Sequence, residues 1–164
     1  MLKELSHCPR CGINRKLNKY VIIRTMMSSS QGPGEKEIFD WGTQIGVLMA
    51  TEKIEREKKA EKHQVEQIIA SLENTKDPML SLLVTALFAQ RQATRKLIGR
   101  KTADHISFVM KTLYEKNRTR EEARKILGMA KWVYEIMEER PEIFEEPKKL
   151  TLEDFIKKIS SQSR

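Results

Sequence analysis

The chain of 164 residues has no long apolar segment. No run approaches the roughly 20 apolar residues that a helix needs to cross a bilayer, which excludes a membrane-spanning helix. Residues 1–25 lack the apolar core and the small-residue cleavage site of a signal peptide. Only two cysteines are present, so a secreted disulfide framework is excluded. We therefore expect a cytoplasmic protein with no membrane partner.

Catalytic motifs are also absent. The sequence contains no phosphate-cradling GxxxxGK[ST] or GxGxxG, no HExxH and no GxSxG. Two cysteines and three scattered histidines offer no evident pair of nucleophile and base. We expect a protein that is not an enzyme.

Strand-like sequence is limited to one short run, residues 20–23, whereas six stretches have helical periodicity. The pattern predicts an all-α fold, a helical bundle of about five to six helices with a small N-terminal knuckle and strand as an appendage. The Ser- and Gly-rich residues 28–34 form a linker by composition. The expected domains are therefore a basic appendage at 1–31 and a bundle at 35–160.

The two cysteines form a CPxCG motif, which is typical of a zinc knuckle. Cys8 and Cys11 would supply two thiolates, and Gly12 permits the turn that exposes backbone amides to sulfur. Tetrahedral zinc needs four ligands, so the motif predicts a zinc ion shared between two chains, a relic without metal, or a redox-idle cysteine pair. A basic tail, or translation that begins at Met26 or Met27, are the alternatives.

Apolar spacing predicts the helices and their buried faces. One helix is expected from Glu35 to about Leu72, with a smooth face at Gly42, Gly46 and Ala50 where another helix could approach closely. Asp77 and Pro78 are typical of a helix start, and Asp104 is expected to cap the next helix. Five apolar residues at helical spacing are expected to form the centre of the core: Leu80, Leu83, Val84, Leu87 and Phe88.

The charge balance favours an anionic partner, because 31 basic residues against 23 acidic ones give a net charge of +8. The cations that we expect to bind nucleic acid or an acidic protein surface are Arg91, Arg95, Lys96, Arg100, Lys101, Arg118, Arg120 and Arg124. A solvated helix face is the alternative. No aromatic residue interleaves with the first five, so the pattern gives no support for base stacking. The acidic residues 135–146 could meet the basic face of another copy, which would give a homo-oligomer.

Residues 119–137 admit two interpretations. The run from Thr119 to Met129 resembles the first helix and turn of a helix-turn-helix regulator of the excisionase or MerR kind, with the turn at Gly128. Arg124 stands where the helix crossing favours a small residue, and the expected reading helix carries several glutamates. A turn at Gly128 would distinguish this interpretation from a continuous helix.

Residues 113–122, 126–127, 132–133 and 140–146 together resemble the C-terminal helical region of Rpn-type nucleases, a mobile-element family with a PD-(D/E)XK core. The likeness covers about 106–146, and it implies one long helix with Gly128 inside it. The nuclease core, whose sheet-borne acids bind Mg²⁺, is absent, and Glu57 in the one ExK triplet lies in a charged helical run. The resemblance therefore implies a remnant or a partner module of such a nuclease.

Overall fold

The computed structural model describes residues 34–52, 60, 62–139 and 150–161. All of them belong to one of the two compact units of the chain, Gly32–Arg164. The described residues form no strand and six helices: α1 (Glu35–Thr51), α2 (Lys62–Ser71), α3 (Pro78–Thr94), α4 (Arg100–Glu115), α5 (Arg120–Glu139) and α6 (Leu152–Ser161). The predicted all-α bundle is confirmed. Cys8, Cys11 and the strand-like residues 20–23 lie outside the described residues.

The most extensive contact in the bundle joins α1 and α5, which run parallel. A Cβ atom placed on Gly42 would lie 2.7 Å from the carbonyl oxygen of Ile126, and one on Gly46 would lie 2.6 Å from that of Ala130. No real Cβ tolerates such distances, so the two glycines allow the helix backbones to touch. The smooth face predicted for α1 is therefore confirmed.

The remaining helices surround this pair. Helices α3 and α4 form an antiparallel hairpin, in which Gln90 donates to Asp104 and to Ser107, both at 3.0 Å. Helix α2 packs on both α3 and α5. Helix α6 docks on α1 of the same chain, where the Leu152 amide donates to Asp40 at 2.8 Å. Among the described helices, none combines the length and the apolar character that a bilayer crossing requires.

Three helices each bury one stripe of apolar residues at helical spacing. They supply most of the core: Ile38, Trp41, Ile45, Leu48 and Met49 of α1, Ile106, Val109, Met110 and Leu113 of α4, and Ala123, Ile126, Leu127, Ala130, Tyr134 and Met137 of α5. The Asp77 carboxylate caps α3 by accepting from the amides of Met79 and Leu80, with Pro78 as the first helical residue. These local signals were sufficient because each helix has one clearly apolar face.

The stripe predicted for α3 is wrong. Leu80 is 47% exposed and Leu87 is 71% exposed. The buried residues of α3 are instead Ser81, Leu82, Thr85, Ala89 and Gln92. Three of these are polar, and each makes a side-chain hydrogen bond within the bundle. Ser71 donates to Thr85 at 3.0 Å and Gln92 donates to Gln67 at 3.0 Å, so polar groups from α2 and α3 meet inside the core.

The prediction of one helix from Glu35 to Leu72 is also wrong. Helix α1 ends at Thr51, and Glu52 adopts an extended conformation with ψ of 120°. Its carboxylate accepts from the Lys101 amide at 2.9 Å and from the Thr102 amide and hydroxyl, both at 2.8 Å. Helix α4 therefore begins one turn earlier than expected, with Gly99 as N-cap. Asp104 lies inside the helix and does not cap it.

We expect Gly46→Ala to lower the free energy of unfolding by about 1–3 kcal/mol, because the added methyl group would overlap the backbone of α5. Gly128→Ala is the matched control, since a Cβ at Gly128 meets nothing within 4 Å. It should raise the free energy of unfolding by about 0.5–1 kcal/mol through helix propensity. Urea unfolding measures both, and equal effects would contradict the close approach of α1 and α5.

We expect Glu52→Ala to lower the free energy of unfolding by about 1–2 kcal/mol, because the first-turn amides of α4 would lose their acceptor. Glu115→Ala on the same helix is the control. Its carboxylate makes only an exposed pair with Lys111, so the loss should be far smaller. Thermal and urea unfolding would check both variants, and similar losses would argue against a capping role for Glu52.

Candidate nucleic-acid interface

The connection between α3 and α4 is held in one conformation by its backbone. Lys96 lies in the left-handed region with φ of 59°. Its amide donates to the Ala93 carbonyl at 2.9 Å, and the Leu97 amide donates to the Gln92 carbonyl at 3.0 Å. These two bonds are the Schellman closure of a helix. Ile98 follows as a buried anchor, and Glu52 caps the next helix.

Five cations project from this connection, and all of them are exposed: Arg91, Arg95, Lys96, Arg100 and Lys101. We call these five residues the basic turn. Within the described residues, the side chains of Arg91, Arg95 and Arg100 make no ion pair. The acids that the fold brings near them are Glu52 and Asp104, which already accept hydrogen bonds from the α4 backbone and from Gln90. The basic turn therefore presents a concentrated positive charge.

The other three predicted cations lie at the opposite end of α3, about 25 Å away if its 17 residues rise 1.5 Å each. Arg118 pairs with Glu122. Arg120 pairs with Glu73 at 3.3 Å and donates to the Thr75 carbonyl, also at 3.3 Å. The contacts of Arg120 tie α5 to the connection between α2 and α3.

Arg124 is held in the same way. Its guanidinium donates to both carboxylate oxygens of Glu121 at 2.6 Å and also contacts Glu73. The hydrogen bond to Glu121, followed by that to Glu73, raises the pKa of Arg124. The eight predicted cations thus form two separate groups, and the intramolecular contacts of Arg118, Arg120 and Arg124 serve the fold. We retain only the basic turn as the candidate interface.

A cleft of about 330 Å³ lies beside the basic turn, lined by Leu48, Lys101, Asp104, His105 and Phe108. The Phe108 side chain is 57% exposed. Its ring stacks on that of His105, with centroids 6.2 Å apart and planes 18° from parallel. Phe108 does not lie between the cations in the sequence, so their spacing gives no sign of it. Helical periodicity could have found it, since Phe108 follows Lys101 by two turns on one face.

A metal site is not visible in the described ranges, where no group of three or more His, Cys, Asp or Glu side chains is placed to hold an ion. The proposed zinc ligands Cys8 and Cys11 lie outside these ranges, as does Glu57 of the ExK triplet. Zinc shared between two chains therefore stays a prediction.

The helix-turn-helix interpretation of residues 119–137 is wrong, because α5 runs from Arg120 to Glu139 without a break at Gly128. A continuous helix is what the resemblance to Rpn-type nucleases implies, but continuity alone is common to many folds. Comparison of the chain with known protein families, with curated proteins and with solved structures found no match. The relation to those nucleases stays a prediction.

We expect Lys96→Gly to raise the free energy of unfolding by about 0.5–1 kcal/mol, because glycine adopts positive φ without the strain of a side chain. Asn117→Gly is the matched control. Asn117 closes α4 in the same way with φ of 51°, and asparagine tolerates this conformation better than lysine, so the gain should be smaller. Urea unfolding would compare them, and a larger gain at Asn117 would contradict strain at Lys96.

Proposed function

We propose that the protein is a non-catalytic helical interaction module that binds single-stranded nucleic acid at the basic turn and the adjacent cleft. The observation that carries the proposal is the group of exposed cations on a connection whose backbone is fixed at both ends. The lysine and arginine side chains would bind successive phosphates, and an unpaired base would stack on Phe108.

The helix dipole favours a cation such as Arg91 in the last turn of α3, but it gives no reason for Arg100 and Lys101. Arg100 and Lys101 occupy the first turn of α4, where the helix dipole favours acids, and this turn contains no acid of its own. Lys96 adopts a backbone conformation that a glycine would adopt with less strain. Residues that oppose local stability in this way are common at functional sites. A bound phosphate chain would offset the repulsion among them.

Phe108 favours a single strand over a duplex. Its exposed ring lines the same cleft as Lys101, so one nucleotide could place its base on the ring and its phosphate near the cation. The bases of a duplex are already stacked on each other and leave no face for an aromatic side chain. Stacking on an aromatic residue contributes about 1–3 kcal/mol per base and tolerates any base. We therefore expect little sequence preference.

The double substitution Arg95→Gln with Arg100→Gln should weaken binding of a single-stranded oligonucleotide. It should also reduce the dependence of log Kd on log salt by about 1.4, since each lost phosphate contact contributes about 0.7 for a single strand. Fluorescence anisotropy at several salt concentrations would measure both quantities. Lys111→Gln with Lys116→Gln is the control of equal charge change, because both lysines are exposed elsewhere on or just after α4. Affinity that ignores salt, or equal losses in both variants, would refute the proposal.

Phe108→Ala should weaken single-strand binding by about 5–150-fold, which corresponds to about 1–3 kcal/mol of stacking, and should leave the salt dependence unchanged. Titrations with single-stranded DNA, single-stranded RNA and a duplex of the same length would distinguish the contribution of base stacking to the affinity from that of charge. Leu87→Ala is the control, since it removes an exposed apolar side chain from the neighbouring helix. Equal losses for duplex and single strand would contradict base stacking. If the chain bound acidic proteins more tightly than oligonucleotides, an acidic protein would replace nucleic acid as the proposed partner.

A further inference from the structure

The outer face of α5 carries a stripe of residues that the fold leaves uncovered. Gly128, Trp132 and Ile136 follow one another at one-turn spacing on this face. Trp132 is 64% exposed and Ile136 is 38% exposed. A tryptophan at this exposure in the middle of a helix leaves a large apolar surface in water.

Gly128 has no packing reason within the described residues. Gly42 and Gly46 are filled by the backbone of α5, whereas a Cβ at Gly128 would meet nothing within 4 Å. Gly128 also has no positive φ that would favour glycine. A glycine in a helix interior lowers helix stability by about 1 kcal/mol relative to alanine. Its position beside Trp132 leaves a shallow notch in an apolar stripe.

The stripe is complementary to itself about Trp132. Gly128 lies four residues before Trp132 and Ile136 lies four after it, so an antiparallel copy would place each isoleucine over the partner's notch. Lys125 lies seven residues before Trp132 and Glu139 seven after it, so the same alignment pairs their opposite charges at both ends. Both residues are exposed, and no ion pair of either is found in the described part of the chain.

The charged residues beside the stripe do not pair with Lys125 or Glu139. Lys131 pairs with Glu66 at 2.9 Å, and Glu135 pairs with Lys62 at 2.9 Å, both toward α2. These neighbouring charges are therefore already matched within one chain. Among the described charges along the stripe, Lys125 and Glu139 remain to meet a partner at its two ends.

We infer that this face binds a second copy of the chain, through an antiparallel contact of α5 with α5 centred on Trp132. A surface that matches itself under a two-fold rotation is the signature of an isologous dimer, and an unrelated partner would not require the match. The contact involves one helix from each copy, so it is small. We expect a reversible dimer with a Kd that is micromolar or weaker, because the interface lies at the low end of the size range.

Sedimentation velocity of the full chain, over a wide range of concentration around the expected Kd, tests the dimer. The wild type should pass from monomer to dimer, and Trp132→Glu should remain monomeric throughout. Leu87→Glu is the matched control, because Leu87 is 71% exposed on α3, away from the stripe. A wild type that stays monomeric, or a dimer that Leu87→Glu disrupts and Trp132→Glu does not, would overturn the inference.

Exchange of the charges at Lys125 and Glu139 tests the antiparallel register. A general loss of stability would not produce the recovery that we expect of the double variant. Lys125→Glu and Glu139→Lys should each weaken self-association by about tenfold or more, because like charges would face each other at both ends. The double variant should recover wild-type association, and a mixture of the two single variants should form a heterodimer more readily than either alone. No recovery in the double variant and no heterodimer would overturn this register.

Discussion

The contact between the backbones of α1 and α5 determines where most other elements of the bundle lie. Gly42 and Gly46 allow α1 to approach α5 more closely than any side chain would permit. That approach directs the C-terminal end of α1 toward α4, where Leu48 lines the cleft and Glu52 caps the helix. The position of the basic turn is thus a consequence of a packing contact elsewhere in the molecule.

The described arginines fall into two groups, those in ion pairs within the chain and those on the basic turn. Composition does not distinguish these groups. Arg118, Arg120 and Arg124 all pair with glutamates of the same chain. The pairs of Arg120 and Arg124 with Glu73 join α5 to the connection between α2 and α3. The cations of the basic turn meet fewer acids, and the two acids nearest to them are already engaged. The position of the basic turn is therefore a better guide to a partner than the net charge of +8 is.

Much of the fold and the five cations of the basic turn follow from local sequence, but the Glu52 cap that holds this turn does not. The Asp77 cap, the stripes of α1, α4 and α5 and the glycine face of α1 depend on spacing within a single helix, so periodicity predicts them. The predicted buried face of α3 was wrong because that helix is apolar over much of its circumference. Polar partners on α2 decide which side is buried. Glu52 lies 49 residues from the Lys101 amide that it caps, a distance over which no local pattern carries information.

The two proposed surfaces lie on different elements, and their combination has a physical consequence. A two-fold dimer through α5 would place two basic turns on one particle without covering either, since the turn belongs to α3 and α4. An oligonucleotide long enough to reach both turns would then bind the second one at a high effective concentration. The avidity of such a dimer would exceed the affinity of each site, so modest binding by a single basic turn is compatible with tight association with a long strand. A small helical chain of this kind would gain reach from pairing, because each copy presents one basic turn.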